Sequence, residues 1–158
     1  MKILKRIFIG IICIPFILVS IFILFEILGL IVNHISTNIQ TTQLKKAILN
    51  ELSTVEIIDT YSETGNTSGT GNHVDMLSAI IFKTDNTKTE IENKLKNIYD
   101  LDDEWGCWVE DMSIINEYHE SQYMFSFCDK MDIPEDLKNC YMIYLNESAP
   151  FVDNIEGH

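Results

Sequence analysis

HVDMLSAIIFK, residues 73–83, is the stretch on which the architecture turns. Its run from Met76 to Phe82 is nearly continuous in apolar character. Such a run reads as a central strand, buried on both faces of a sheet. Just upstream, VEIIDTY (55–61) is rich in β-branched residues and reads as a second strand. Between them lies SETGNTSGTGN (62–72), with three glycines, two asparagines and no large apolar side chain. That composition predicts a loop, and the two strands then form an antiparallel hairpin.

Downstream, Thr87 and Glu90 have the spacing of a capping box, and Ile91, Leu95 and Ile98 supply an apolar stripe. A helix is predicted over 87–99. Residues 100–104 connect it to a strand around Cys107–Glu110. Gln122–Asp129 alternates, with Tyr123, Phe125 and Phe127 on one side, and reads as a strand. Pro134–Asn139 reads as one helical turn, Cys140–Asn146 as a last strand, and 148–158 as a tail with little pattern. Strands grouped around one helix predict an α+β domain over 55–147: a small, mostly antiparallel sheet with one or two helices on one face.

The N-terminal part has a different character. Lys2, Lys5 and Arg6 precede an apolar run of 26 residues, Ile7 to Val32, in which Glu26 is the only charge. A helix of that length spans roughly 39 Å, more than the ~30 Å hydrocarbon core of a bilayer. The economical arrangement puts Ile7–Phe25 in hydrocarbon and Glu26 at the far interface, with the helix continuing as a stalk to Val32. Pro15 is tolerated in a membrane helix. The run is too long for a signal peptide and lacks a small-residue cleavage site. Lys2, Lys5 and Arg6 predict a cytoplasmic N-terminus (1–6), with the rest outside the membrane. Residues 33–54 read as an amphipathic helical connector, with Thr41 or Thr42 as its cap and Leu44, Ala47, Ile48 and Leu52 as its apolar positions.

Beyond residue 32 stand 23 acids and 8 bases, a balance of −15 against −13 for the whole chain. That disfavours nucleic acid and anionic lipid as partners. The expected partners are the bilayer, through 7–32, and an unknown protein or small ligand. Three cysteines follow the span, and in an oxidising exterior Cys128 and Cys140, read as lying on neighbouring strands, are the first candidates for a bridge. Their spacing does not suit zinc.

Chemical signatures are sparse. The loop residues Gly65, Asn66, Gly69, Gly71, Asn72 and His73 form a candidate ligand loop, because glycine-rich backbone can cradle an anion. The loop lacks the lysine and hydroxyl of a P-loop, and G-x-G-x-x-G spacing is absent. His73 and Asp75, two apart on a strand, share a face, and an Asp there can orient an imidazole. Ser62, Ser68 and Ser78 are the nearest hydroxyls, but no G-x-S-x-G elbow surrounds any of them. Asp100, Asp102 and Glu104 mimic the start of a calcium loop, but Trp105 stands where its turn glycine belongs. No metal site or cofactor is expected, and Trp108 and the later tyrosines read as core. The chain therefore reads as a membrane-anchored extracytoplasmic binding or accessory module, sensor- or immunity-like in type. The alternative is a surface-anchored hydrolase using His73 and Asp75.

Overall fold

The computed structural model describes residues 2–69, 71–101, 106–118 and 123–157. A single helix, α1, runs over Lys2–Glu51 for 50 residues. Four strands follow, β1 (Glu56–Gly65), β2 (Asp75–Lys83), β3 (Cys107–Asp111) and β4 (Cys140–Ser148), all paired antiparallel in the order β1-β2-β4-β3. Helices α2 (Lys88–Leu95) and α3 (Met112–Tyr118) and two 3₁₀ helices, Tyr123–Lys130 and Ile155–Gly157, complete the fold. The α+β class read from the sequence is the one observed.

The hydrophobic span, the stalk and the connector are one uninterrupted helix. Neither Thr41 nor Thr42 caps it. Each hydroxyl donates to the carbonyl four residues back, Thr41 Oγ1 to Thr37 at 3.0 Å and Thr42 Oγ1 to Asn38 at 2.8 Å, so both sit in mid-helix. Beyond the span, α1 buries one residue every three or four: Gly29, Asn33, Thr37, Gln40, Leu44 and Ile48, with Leu52 just past its end. The last three are apolar and enter the core. The earlier ones are glycine or polar, and they form a hydrogen-bonded seam. The opposite face of α1 stays exposed at Ile27, Leu28, Ile31 and Ile35.

The sheet is central, and β2 is buried over eight of its nine residues. Ile80 and Phe82 face α1 and α2, packing with Leu44, Ile48, Ile91, Leu95, Tyr141 and Ile143. Leu77, Ala79 and Ile81 face the other way, onto Met112, Ile115, Phe127, Cys128 and Met142. Thus α3 and the first 3₁₀ helix cover the second face, so helices lie on both faces of the sheet and not on one as the sequence suggested. Burying an aliphatic or aromatic side chain of this size stabilises by about 1.5–3 kcal/mol. Trp108 stacks on Tyr144 (5.1 Å between ring centroids), Tyr144 on Phe127 (5.8 Å) and Phe127 on Tyr61 (5.7 Å), an aromatic row across that face.

Three local expectations are corrected. Ser62–Gly65 belong to β1 rather than to the loop, pairing with β2 from Ser62↔Ser78 to Gly65↔Asp75. Their side chains are polar, but ladder pairing uses only the backbone. Tyr123–Lys130 is 3₁₀ helix, not strand, and the consecutive residues Phe127 and Cys128 are both buried, which the alternation of a strand does not give. Pro134–Asn139 forms no helix; a turn closes with Cys140 N–H donating to Leu137 O at 3.1 Å, and Asn139 takes the left-handed conformation before β4 (φ 54°). The capping box at Thr87 is present, with both reciprocal bonds to Glu90. However, α2 ends at Leu95, so Ile98 lies beyond it and is 49% exposed.

Candidate functional site

A cleft of about 780 Å³ opens at the end of the sheet where β2 begins and β4 ends. The antiparallel register brings its walls together: Asp75 pairs with Ser148, and Leu145 with Cys107. Ser68 and His73 come from the hairpin loop, Asn146, Glu147 and Ser148 from β4, and Ile98, Tyr99 and Asp100 from the segment after α2.

His73 and Asp75 meet here. His73 Nε2 lies 2.7 Å from Asp75 Oδ1, the imidazole one-third exposed and the carboxylate 5% exposed. The second oxygen, Oδ2, accepts from the Ser68 backbone N–H at 3.0 Å. Asp75 is thereby held at both oxygens, and it fixes the ring through Nε2, leaving Nδ1 as the remaining ring nitrogen. An imidazole oriented in this way can act as an acceptor for a ligand proton or as a general base.

The charged side chains of the lining are mostly acidic. Asp75, Asp100 and Glu147 contribute carboxylates, and among the described residues of the wall there is no lysine or arginine. Their field is felt by the neighbours. Burial pushes the Cys107 thiol up to about 12, helped by the charges of Glu147 and Asp100. Burial also raises the Tyr99 phenol, with Cys107 and Glu147 adding to the effect. A thiol held so strongly protonated is a poor nucleophile. Glu147 is fixed from behind by α1, where Gln40 Nε2 donates to Glu147 Oε2 at 2.9 Å.

The candidate loop is divided between two places. Of its six residues only His73 lines the cleft, and Ser68, not among the six, joins it. Gly65 and Asn66 line a smaller hollow of about 190 Å³ beside Lys130. Asn66 Nδ2 bridges the loop, donating to Gly71 O and, at 3.5 Å, to Gly157 O. Gly69 and Gly71 have φ of 67° and 115°, where glycine is needed to turn the chain, and Asn72 is exposed. The two glycines thus set the course of the loop.

Of the other sequence candidates, Ser62 is exposed on β1, whereas Ser78 is buried 2.7 Å from both Gln40 Oε1 and Thr41 Oγ1. Neither lines the cleft. Asp102, Glu104 and Trp105 lie outside the described residues, and Asp100 is in the cleft. Among the described residues no three potential ligands cluster as a metal site. All four cysteines are free thiols. Cys128 is in the 3₁₀ helix rather than on a strand next to Cys140, and the two share one apolar cluster. Sequence reading missed Glu147, Asn146 and Tyr99. The polar end of β4, Asn146-Glu147-Ser148 after an apolar strand, was the available signal.

Comparison of the chain with known protein families, with curated proteins and with solved structures gives no match. One helix is long and apolar enough to cross a membrane, with the qualifying stretch described over Ile12–Glu51.

Proposed function

We propose that this chain is a single-pass, membrane-anchored binding module whose acidic cleft takes a ligand carrying a cationic or proton-donating group beside an apolar one. In this reading α1 spans the bilayer through Ile7–Phe25 with its N-terminus cytoplasmic, and the α+β domain is extracytoplasmic. The observation that carries the ligand class is the cleft wall: Asp75, Asp100 and Glu147 stand with Ile98, Tyr99 and Leu145 and with no lysine or arginine among the described lining residues. Opposite charge in a concave, partly desolvated site favours cations. The anchor reading is supported by the apolar run and by the basic residues before it.

The test titrates the full chain in phosphatidylcholine vesicles with short lysine- and arginine-containing peptides flanked by aromatic residues. Binding that weakens in Glu147→Gln and Asp75→Asn supports the reading. Equal affinity for acidic and basic peptides, or no effect of either substitution, overturns it. Topology is tested separately with an epitope after His158, which protease added to spheroplasts should remove. Protection until lysis contradicts an outside domain.

The His73–Asp75 distance of 2.7 Å favours one second reading, a hydrolase in which His73 is the base. Turnover of an ester, peptide or glycan that is lost in His73→Ala and kept in Ser126→Ala would establish it over simple binding.

A further inference from the structure

We infer that the C-terminal segment Ala149–Gly157 is a foot that rests on the bilayer, with Val152 and Ile155 in contact with lipid. The inference rests on the membrane reading of α1 and goes beyond it, because it adds a second membrane contact from the opposite end of the chain. Ile7–Phe25 as helix measures about 28 Å, close to the ~30 Å hydrocarbon core, so Glu26 stands at its edge. The tail is fastened at that level. Glu26 Oε2 accepts from Asn154 Nδ2 at 3.0 Å and from the Ile155 N–H at 2.9 Å. Phe151 sits edge-on to Phe25, 5.4 Å between centroids.

The same segment is bound to the domain, with Val74 N–H donating to Val152 O at 2.8 Å and Ala149 N–H to Val74 O at 2.9 Å. It is therefore a wedge with a fixed position. Asn154 is fully buried, yet Ile155 is 62% exposed and Val152 36%. Two apolar side chains left open beside the last residue of a membrane span have the lipid interface as their nearest apolar phase. Asp153, two residues before Ile155, and Glu156, next after it, repel anionic headgroups, so the contact is the apolar one of Val152 and Ile155.

The experiment places a fluorescent nitrobenzoxadiazole label on Ile155→Cys in the full chain carrying Cys13→Ser, reconstituted in phosphatidylcholine vesicles containing shallow doxyl-labelled lipid. Val19→Cys, in the span, and Glu51→Cys, at the far end of α1, are labelled in parallel. The expected result is a blue shift and quenching at Ile155 and at Val19, and neither at Glu51. Quenching at Val19 without quenching at Ile155 overturns the foot and leaves the anchor intact. No quenching at Val19 overturns the anchor and the foot with it.

Discussion

Asn154 reaches Glu26 with one amide, donating to its backbone carbonyl at 2.8 Å and to its carboxylate at 3.0 Å. The only charge of the apolar run is thus an acceptor for the last turn of the chain. Glu26→Ala removes the carboxylate acceptor from Asn154 and from the Ile155 N–H. The expected cost is about 1–3 kcal/mol, two hydrogen bonds at about 0.5–1.5 kcal/mol each, while Asn154 keeps the Glu26 carbonyl as a partner. Urea unfolding in detergent micelles, followed by tryptophan fluorescence, measures it. Glu26→Gln, which keeps one acceptor oxygen, should lose less. Equal losses for the two would show that the hydrogen bonds do not matter.

Gly29 lies under the same tail. A Cβ there would come within 2.5 Å of Asn154 Nδ2 and 3.2 Å of Phe151 Cβ. Gly29→Ala should lift the tail, cost about 1–3 kcal/mol through overpacking, and speed proteolysis after residue 148. Gly10, with open space around it, is the control, and Gly10→Ala should leave the cleavage rate unchanged. Identical rates for the two variants would contradict the packing described here.

Thr87→Ala removes the side-chain half of the α2 capping box, in which Thr87 Oγ1 accepts from the Glu90 N–H and bonds its carboxylate, and keeps the Thr87 N–H donated to the Glu90 carboxylate. The expected loss is about 1 kcal/mol, seen as a shift in the urea midpoint with unchanged slope. A variant as stable as the parent would mean that packing of Ile91 and Leu95 alone holds the helix.

Alkali should unfold the domain early. Burial pushes the Cys107 thiol up to about 12 and those of Cys128 and Cys140 to about 11, from an ordinary value of 9.0. Unfolded thiols lose their protons first, so the stability from keeping them neutral is complete below pH 9 and is lost as pH rises toward 11–12. A melting temperature that falls across this window, and falls less in Cys107→Ala relative to its own value at neutral pH, is the expected result. Equal falls in parent and variant would assign the alkaline loss to other groups, such as Tyr144.

What could be read from the sequence was what local pattern determines. Thr87 and Glu90 announce their helix because the capping bonds span three residues, and Met76–Phe82 announces a central strand because both its faces are apolar. Ser62–Gly65 carry no such mark, since their strand character comes from pairing with β2. The alternation of Tyr123–Phe127 misled, because so short a run fits more than one backbone and α3 with the sheet decides where Phe127 and Cys128 pack. In the cleft, the pairing of His73 with Asp75 was legible, although the two do not share a strand: His73 lies in the loop and β2 begins at Asp75. Glu147 was not, as only the β2–β4 register brings it there. Asn33, Thr37 and Gln40 continue the spacing of Leu44, Ile48 and Leu52 in polar form, a helical stripe visible in the sequence once small and polar residues are counted with apolar ones.

Between Glu26 and Gln40 the helix has no break, and both ends are bonded to the domain, through Asn154 at one and Glu147 at the other. This stretch works as a post of set length and set azimuth. The 14 steps from Glu26 to Gln40 amount to about 21 Å of rise, which fixes how far the cleft wall stands from the level of Glu26. One inserted residue would turn the upper stripe by about 100° and detach the seam at one end. Seven would nearly restore the phase, but about 10 Å higher, leaving the tail unable to reach both Val74 and Glu26. Length in this helix is therefore as constrained as sequence.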